Sequence, residues 1–371
     1  RLVLPDVAAA AMAATMDSFG VNTAMRWPCL SNLKGHFDAG PLTIDKGRLY
    51  RSQIGEDALL YAAFFNTSEF DCRASPSSCK PHPPAYLELG ANNGVSMSNS
   101  YFFEEALGWH GLLIEAEPKY CDQIVNSRCA KERAWRGPEG IRNVLACGAV
   151  CKASDGGSVE LVKMDAMSGV PSMGMYETHL DMKINAKRMQ GREVIPCAPM
   201  NALLSKAGLH RRRIDLFSLD VEGAELHVLN TIDWSTFRFG VLILEISCID
   251  DPRGPLQNQT RALLWSKGYT FIKRHNIDEI WGDMSLEYVR KGALKLNGGV
   301  PQRPMACGQY KPPRPAPLLI DKRDKPRFTF PSEYKTQPVR QGFVRQVYAQ
   351  TGVQTGSARN LHNPLRSGVM G

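Results

Sequence analysis

Two segments of the chain have the residue types and the spacing of a nucleoside-binding site. Residues 86–94 read Tyr-Leu-Glu-Leu-Gly-Ala-Asn-Asn-Gly, an apolar strand that leads into a glycine turn. A second apolar segment, residues 111–115, ends at Glu115. Glycine lets the backbone come close to a ligand, and a carboxylate at the tip of a strand can accept hydrogen bonds from ribose hydroxyls. The two segments therefore predict a strand-helix-strand unit that binds a nucleotide-type cofactor.

The glycine spacing and a neighbouring acid narrow the choice of cofactor. Gly90 and Gly94 form a G-x-x-x-G pattern, whereas a dinucleotide site uses G-x-G-x-x-G, so an NAD-dependent oxidoreductase is disfavoured. Glu88 would repel a phosphate but suits an ammonium group. S-adenosylmethionine fits this loop because it carries an amino-acid head and a sulfonium and no phosphate. The alternative stays open that the glycines only close a tight turn. The residues predicted to bind the cofactor are Glu88, Gly90, Ala91, Asn92, Asn93, Gly94, Glu115 and Ala116.

A third group of acids follows another predicted strand, in the string Asp-Val-Glu-Gly-Ala-Glu at residues 220–225. The carboxyl ends of parallel strands line the ligand crevice of a doubly wound sheet, so Asp220 is expected in the crevice. Asp220 and Glu222 are the predicted catalytic residues, as base and orienter for a substrate hydroxyl. They could instead hold a divalent cation, or Asp220 could simply cap the next helix. Glu225 is expected to interact with the helix dipole.

Glu245 lies near the end of the apolar segment 241–247. A carboxylate inside an apolar strand is costly unless it is paired or functional. We therefore expect Glu245 either to face the crevice edge beside Asp220 or to pair with an Arg or Lys.

Strand and helix patterns alternate from residue 85 onward, which predicts a doubly wound α/β fold with a mostly parallel seven-stranded sheet. The last two strands follow each other too closely for a crossover helix, so they are predicted to form an antiparallel pair. The predicted strands are 86–89, 111–115, 143–146, 214–220, 241–247, 269–273 and 279–281. The predicted helices are 96–107, 118–128, 200–207, 223–230 and 260–267. Within the domain, residues 158–162 are predicted to form a short strand in an insertion, and the Met- and Gly-rich residues 166–193 a mobile active-site cover.

Charge and proline content divide the chain. Residues 296–371 contain 12 Lys and Arg against 3 Asp and Glu, whereas residues 1–295 contain 33 against 34. A nearly neutral body argues against nucleic-acid binding. Ten of the 24 prolines lie beyond residue 300. We therefore predict an extension or linker at 1–45, a domain at 46–295 and a basic, Pro-rich, disordered tail at 296–371. The tail is either a contact arm for acidic partners or membranes, or solvated low-complexity sequence.

The compartment and the state of the ten cysteines stay open. No CxxC pair occurs, so no structural zinc site is predicted. Two N-glycosylation sequons start at Asn66 and Asn258, which together with the cysteines suits a secretory lumen. The alternative is a set of reduced, buried cysteines. No apolar run is long enough to span a membrane. The chain begins at Arg1, so we expect further residues upstream, with room for a targeting segment.

Taken together and in order, several stretches resemble the FkbM-type methyltransferases, and the eukaryotic branch most closely. The resemblance covers roughly residues 50–290. The stretches that carry it are Ser52-Gln-Ile-Gly-Glu-Asp57, Glu88-Leu-Gly-Ala-Asn-Asn-Gly94, Ser98-Asn99, Phe102-Phe103-Glu104, Leu107-Gly108-Trp109, Gly111-Leu-Leu-Ile-Glu115 and Asp220-Val-Glu-Gly-Ala-Glu225.

The resemblance implies a Rossmann-like class I methyltransferase sheet and S-adenosylmethionine-dependent methyl transfer to oxygen, on a sugar or small-metabolite hydroxyl. It also implies that Ala146 and Cys147 lie at the edge near the adenine. Many relatives have Glu-Pro after strand 2, whereas this chain has Glu115-Ala-Glu117-Pro118, which leaves two candidates for the ribose acid. The second hypothesis is a non-catalytic binding or trafficking protein on the same fold.

Overall fold

The computed structural model describes residues 15–29, 46–79, 83–129, 143–175, 187–209, 213–247, 255–298 and 302–304. All of them belong to a compact unit that spans residues 1–310. Most of the predicted N-terminal extension and of the predicted basic tail lies outside the described residues.

Ten strands occur in this part of the chain, and seven of them form the main sheet. They are numbered in chain order: β1 (Ala85–Leu89), β2 (His110–Glu115), β3 (Val144–Cys147), β4 (Ala149–Val150), β5 (Ser158–Lys163), β6 (Gly191–Ala198), β7 (Arg213–Leu219), β8 (Arg238–Glu245), β9 (Thr270–His275) and β10 (Asp278–Gly282). The main sheet has the order β3-β2-β1-β7-β8-β10-β9. Its first five strands run parallel, and β10 is antiparallel to both β8 and β9. The predicted Rossmann-like sheet and its antiparallel C-terminal pair are confirmed.

Helices cover both faces of this sheet. The described α-helices are α1 (Glu56–Leu60), α2 (Tyr101–Leu107), α3 (Pro118–Ser127), α4 (Met200–Lys206), α5 (Glu225–Leu229), α6 (Pro255–Ser266) and α7 (Glu287–Asn297). Alternate strand residues enter opposite cores: Leu112 and Ile114 lie in one apolar cluster, and Leu113 lies in the other. Because both faces of the main sheet are buried, its strands are continuous apolar segments in the sequence. Among the described helices, none has both the length and the apolar character that crossing a membrane requires.

A small second sheet has the order β4-β6-β5 and contains the predicted insertion strand, β5. Strand β6 pairs antiparallel with β5 along its length, from Gly191 to Pro196. The predicted mobile cover at 166–193 is therefore wrong at its C-terminal end, because residues from Gly191 onward are held by strand pairing. Residues 176–186 of that prediction lie outside the described residues.

The second helix begins at Tyr101, five residues later than predicted. The cause is the buried carboxylate of Glu88, which accepts hydrogen bonds from the Asn99 backbone N–H (2.7 Å) and from the hydroxyls of Ser98 (2.9 Å) and Ser100. These bonds draw residues 98–100 toward β1 and keep them outside α2, since serine and asparagine side chains offer the backbone alternatives to a helix.

A buried arginine, Arg128, connects the glycine loop to its surroundings. Its side chain is 1% exposed and forms a salt bridge and hydrogen bonds with Glu104 of α2. Its guanidinium also donates to the Gly94 carbonyl (3.0 Å) and to the Tyr86 hydroxyl (2.8 Å), and lies 3.8 Å from Glu88. One cation therefore compensates two buried carboxylates and fixes the end of the loop that follows β1.

The eight cysteines in this part of the chain are paired in four disulfides. They are Cys29–Cys129, Cys72–Cys79, Cys121–Cys147 and Cys151–Cys197. The first ties residues 15–29, which place Val21 and Met25 in the core, to the end of α3. The structure thus favours paired cysteines over the alternative of reduced, buried thiols. Cys248 and Cys307 lie outside the described residues.

Removing the buried arginine should destabilise the protein far more than removing an exposed one. Arg128→Ala leaves Glu104 and Glu88 buried without their cation, which should lower the free energy of unfolding by about 3–5 kcal/mol. The control is Arg192→Ala, because Arg192 pairs with Glu160 and both side chains are about half exposed. That loss should stay below about 1 kcal/mol. Urea unfolding under non-reducing conditions measures both, and equal losses would contradict the role given to Arg128.

Candidate active site

The candidate site lies where parallel strands β1, β2, β7 and β8 end at the same edge of the sheet. The glycine loop follows β1, Glu115 ends β2, and the acidic turn at 220–225 follows β7. Register places Leu89 beside both Ile114 and Leu219, so the three strands end side by side. The topology therefore brings together the acids and glycines that the sequence singled out.

The glycine loop packs directly against the acidic turn. Gly90 has a φ of +75°, and a Cβ on it would lie 1.8 Å from the carbonyl oxygen of Asp220. The Asp220 N–H in turn donates to the Leu89 carbonyl (3.2 Å). Only glycine allows this approach, for both conformational and steric reasons. Any ligand held by the loop would consequently lie next to the turn that carries Asp220.

The remaining loop residues are fixed by local hydrogen bonds. Ala91 is fully buried. Asn92 adopts a left-handed conformation with a φ of 49°. The Asn93 side chain accepts hydrogen bonds from the N–H groups of Val95 (3.0 Å) and Ser96 (2.8 Å). A Cβ on Gly94 would press against Ile124 of α3 at 3.0 Å. The loop is thus preformed before any ligand binds.

Glu115 faces the glycine loop. One of its carboxylate oxygens accepts from the Asn92 N–H (2.7 Å), and the other accepts from the Glu117 N–H (2.8 Å). Burial raises the pKa of Glu115 to about 8, although these backbone N–H groups act in the opposite direction. Glu117 points elsewhere, because its carboxylate accepts from the Ser168 hydroxyl (3.2 Å) beyond β5. The geometry favours Glu115 over Glu117 as the acid nearest the loop.

Glu88, Ala116 and Cys147 occupy different places around the loop. Both oxygens of Glu88 are engaged by residues 98–100 within the protein, and burial raises its pKa while Arg128 lowers it. Ala116 is half-buried directly after Glu115. Cys147 lies opposite Glu115 in the β2-β3 register, and its sulfur is bonded to Cys121. The side chain of Cys147 is therefore buried and part of a disulfide, so it offers no free thiol at this edge.

Three carboxylates converge at the ends of β7 and β8. One oxygen from each of Asp220, Glu222 and Glu245 lies within 4.8 Å of the others. Asp220 and Glu245 also share a hydrogen bond. Glu245 is 7% exposed and forms no ion pair with an Arg or Lys in the described part of the chain. The first of the two expectations for Glu245, that it faces the crevice beside Asp220, therefore agrees with the structure.

The turn that carries these acids is braced by Glu225. Its carboxylate accepts from the N–H groups of Val221 (3.1 Å) and Gly223 (3.2 Å), and burial raises its pKa to about 7. Glu222 between them has a φ of 57°, a conformation that is uncommon for a residue with a side chain. Glu225 thus supports the turn from inside the protein, whereas Glu222 belongs to the carboxylate group.

Sequence reasoning missed a neighbouring pair of acids, Glu56 and Asp278. Both are buried and they share a hydrogen bond. Asp278 lies opposite Glu245 in the β10-β8 register, and burial together with Glu56 and Asp220 raises its pKa well above the usual value. The sequence did contain one indication of this pair. Glu56 lies in the stretch Ser52–Asp57, which contributed to the family resemblance, but no role was assigned to Glu56.

The comparison with known families agrees with this geometry. Residues 88–271 match the family model described as "Methyltransferase FkbM domain", and this range contains the C-terminal ends of the four strands that meet at the candidate site. The chain has no match among curated proteins or among solved structures. Residues 88–271 therefore form a methyltransferase domain of the FkbM family.

Proposed function

We propose that the protein is an S-adenosylmethionine-dependent O-methyltransferase that acts on a hydroxyl of a sugar or small metabolite. The observation that carries the proposal is the close packing of Gly90 against Asp220. It brings the glycine loop, the strand-end acid Glu115 and the acids after β7 into one crevice. Methyl transfer depends mainly on aligning two reactants and excluding water, which such a crevice can do.

The described residues fit S-adenosylmethionine better than a phosphate-bearing cofactor. The Asn92 N–H of the glycine loop, a backbone donor that a phosphate would need, is already taken by the carboxyl of Glu115. Glu115 would accept hydrogen bonds from the ribose hydroxyls in place of the Asn92 N–H. Glu88 would not contact the cofactor directly, because its oxygens already bind residues 98–100. Its contribution would be to hold the glycine loop in shape. When bound, the cofactor supplies an electrophilic methyl group on its sulfonium.

Asp220 and Glu222 are proposed to act on the acceptor. Asp220 follows β7 directly, and its backbone touches the glycine loop, so it is well placed to orient a hydroxyl and accept its proton. Asp220 shares a hydrogen bond with Glu245 and lies close to Glu222, so a proton that it accepts can be shared within this group of acids. Non-catalytic binding or trafficking on the same fold is the alternative, and it predicts no methylated product.

The acceptor should become visible as a mass difference of one methyl group. We expect glycans or small metabolites from cells that produce the protein to include species heavier by one methyl group than those from cells without it. The species should disappear in cells that produce Asp220→Asn, whereas Asp233→Asn, an exposed acid remote from the crevice, should retain them. Mass spectrometry measures the difference. Identical profiles with and without the protein would favour the non-catalytic alternative.

Cofactor binding should depend on Glu115 and not on Glu117. At about pH 9, where Glu115 with its pKa of about 8 is ionised, Glu115→Gln removes the charge that would accept from the ribose hydroxyls. The dissociation constant for S-adenosylmethionine at that pH should therefore rise by about 10- to 100-fold. Glu117→Gln changes a neighbouring acid that faces Ser168, so it should change the constant by less than about threefold. Isothermal titration of the purified chain measures both. A larger effect in Glu117→Gln would reverse the assignment.

Binding of the nucleoside half should tighten as the pH rises. The pKa of Glu115 is raised to about 8, so this acid is mostly protonated at pH 7, while ribose hydroxyls donate best to the ionised form. Affinity for 5′-methylthioadenosine, which has no group titrating in this range, should increase by about tenfold from pH 7 to pH 8.5 and then level off. Glu115→Gln should show a flat profile in the same titration. A flat profile for the unchanged protein would contradict the ribose role.

A further inference from the structure

We infer that Asp220, Glu222 and Glu245 form a binding site for one divalent cation of the magnesium and manganese class. The site's role in acceptor binding rests on the proposed function, whereas cation binding itself does not. The three residues come from two neighbouring strand ends, so the sheet itself positions them.

The separation of the three carboxylates suits a shared cation. Oxygens bound to one octahedral cation at about 2.1 Å lie at most about 4.2 Å apart. The three candidate oxygens already lie within 4.8 Å of one another. Small side-chain rotations would therefore suffice to close the site, without any movement of β7 or β8.

An unsatisfied oxygen points independently to a missing ligand. The Oε2 atom of Glu245 is fully buried and has no hydrogen-bond partner. Buried carboxylate oxygens without a partner are rare, because the lost hydration is not replaced. Since Glu245 is 93% enclosed and its carboxyl belongs to the three-residue group, a cation between the carboxylates would satisfy this oxygen.

The surrounding charges also favour a cation. The charged groups that act most strongly on Glu245 are Asp220, Glu222 and Glu225, and all three are acids. The nearby Asp278 adds a further acid at the opposite position of β10. Arg274 donates to Glu279 (2.6 Å) and to the Ile246 carbonyl (3.0 Å), so its charge is directed mainly at Glu279.

Either a proton or a metal ion can relieve this crowding of acids. A proton would sit between Glu245 and Asp220 and leave Oε2 unsatisfied, whereas a metal ion would bind all three carboxylates. Oxygen-only ligand sets select magnesium, manganese or calcium over zinc or copper. Three protein ligands would leave open positions, which a hydroxyl of the acceptor could occupy beside Asp220.

Titration of the full chain with Mn²⁺, followed by the electron paramagnetic resonance signal of the free ion, tests the site. We expect one Mn²⁺ to bind per chain in the absence of cofactor, and the affinity to fall at least about tenfold in Glu245→Gln, which preserves the shape of the side chain. Glu287→Gln is the matched control, because Glu287 is 70% exposed on α7 and should leave the affinity unchanged. Absence of saturable binding at millimolar Mn²⁺, or equal affinity in Glu245→Gln and the unchanged chain, would overturn the inference.

Three further measurements test this inference and separate it from folding defects and from the proposed function. Melting in excess EDTA should show Glu245→Gln to be at least as stable as the unchanged chain, because the substitution removes a crowded acid. Asp220→Asn should reproduce the loss of Mn²⁺ affinity, and retention of full affinity in that variant would count against the site. Binding of 5′-methylthioadenosine is measured separately: Mn²⁺ binding without nucleoside binding would refute the proposed function alone, and the reverse would refute the cation site alone.

Discussion

The buried guanidinium of Arg128 is the interaction on which the candidate site depends most. It lies at the C-terminal end of α3 and bonds to residues of β1, of the glycine loop and of α2. Two carboxylates, Glu104 and Glu88, are buried beside it and would be strongly unfavourable without a cation. Glu88 in turn binds residues 98–100, which lie just before α2. A single charge thus determines where the loop ends and where α2 begins, and so fixes the shape of the loop.

The two sides of the crevice satisfy their acids in opposite ways. On the glycine-loop side, Glu115 accepts two backbone N–H groups and Glu88 is compensated by hydroxyls, a backbone N–H and Arg128. On the other side, Glu245 meets mainly other acids and keeps one oxygen without a partner. The first arrangement is complete in the protein alone, so the role proposed for Glu115 requires it to exchange its backbone partners for ribose hydroxyls. The second is incomplete, and its physical requirement is a positive charge or a proton donor.

Local sequence patterns were sufficient to predict the sheet, but not to predict the long-range contacts that determine the shape of the candidate site. Apolar runs, glycine turns and the short link between the last strands predicted the order of elements and the antiparallel pair correctly. The start of α2 was missed because it is set by Glu88, a residue ten or more positions away. Arg128 was missed because its partners are up to 42 residues distant in sequence. Strand β6 was missed because a long polar segment separates it in sequence from its partner β5. The four disulfide pairings could not be predicted from the spacing of the cysteines alone.

The contact between Gly90 and Asp220 links the two sides of the crevice into one unit. The Asp220 backbone is held by Leu89 of β1, and its carbonyl fills the space that a side chain on residue 90 would need. Movement of the glycine loop would therefore shift Asp220, the acid proposed to face the acceptor, by a similar amount. In a displacement reaction, the distance between nucleophile and methyl donor must be controlled to a fraction of an ångström, and a rigid backbone contact achieves this more reliably than two independent loops. Glycine is required at position 90 less for its flexibility than for its lack of a side chain, because only then can the backbones of the two loops pack directly against each other.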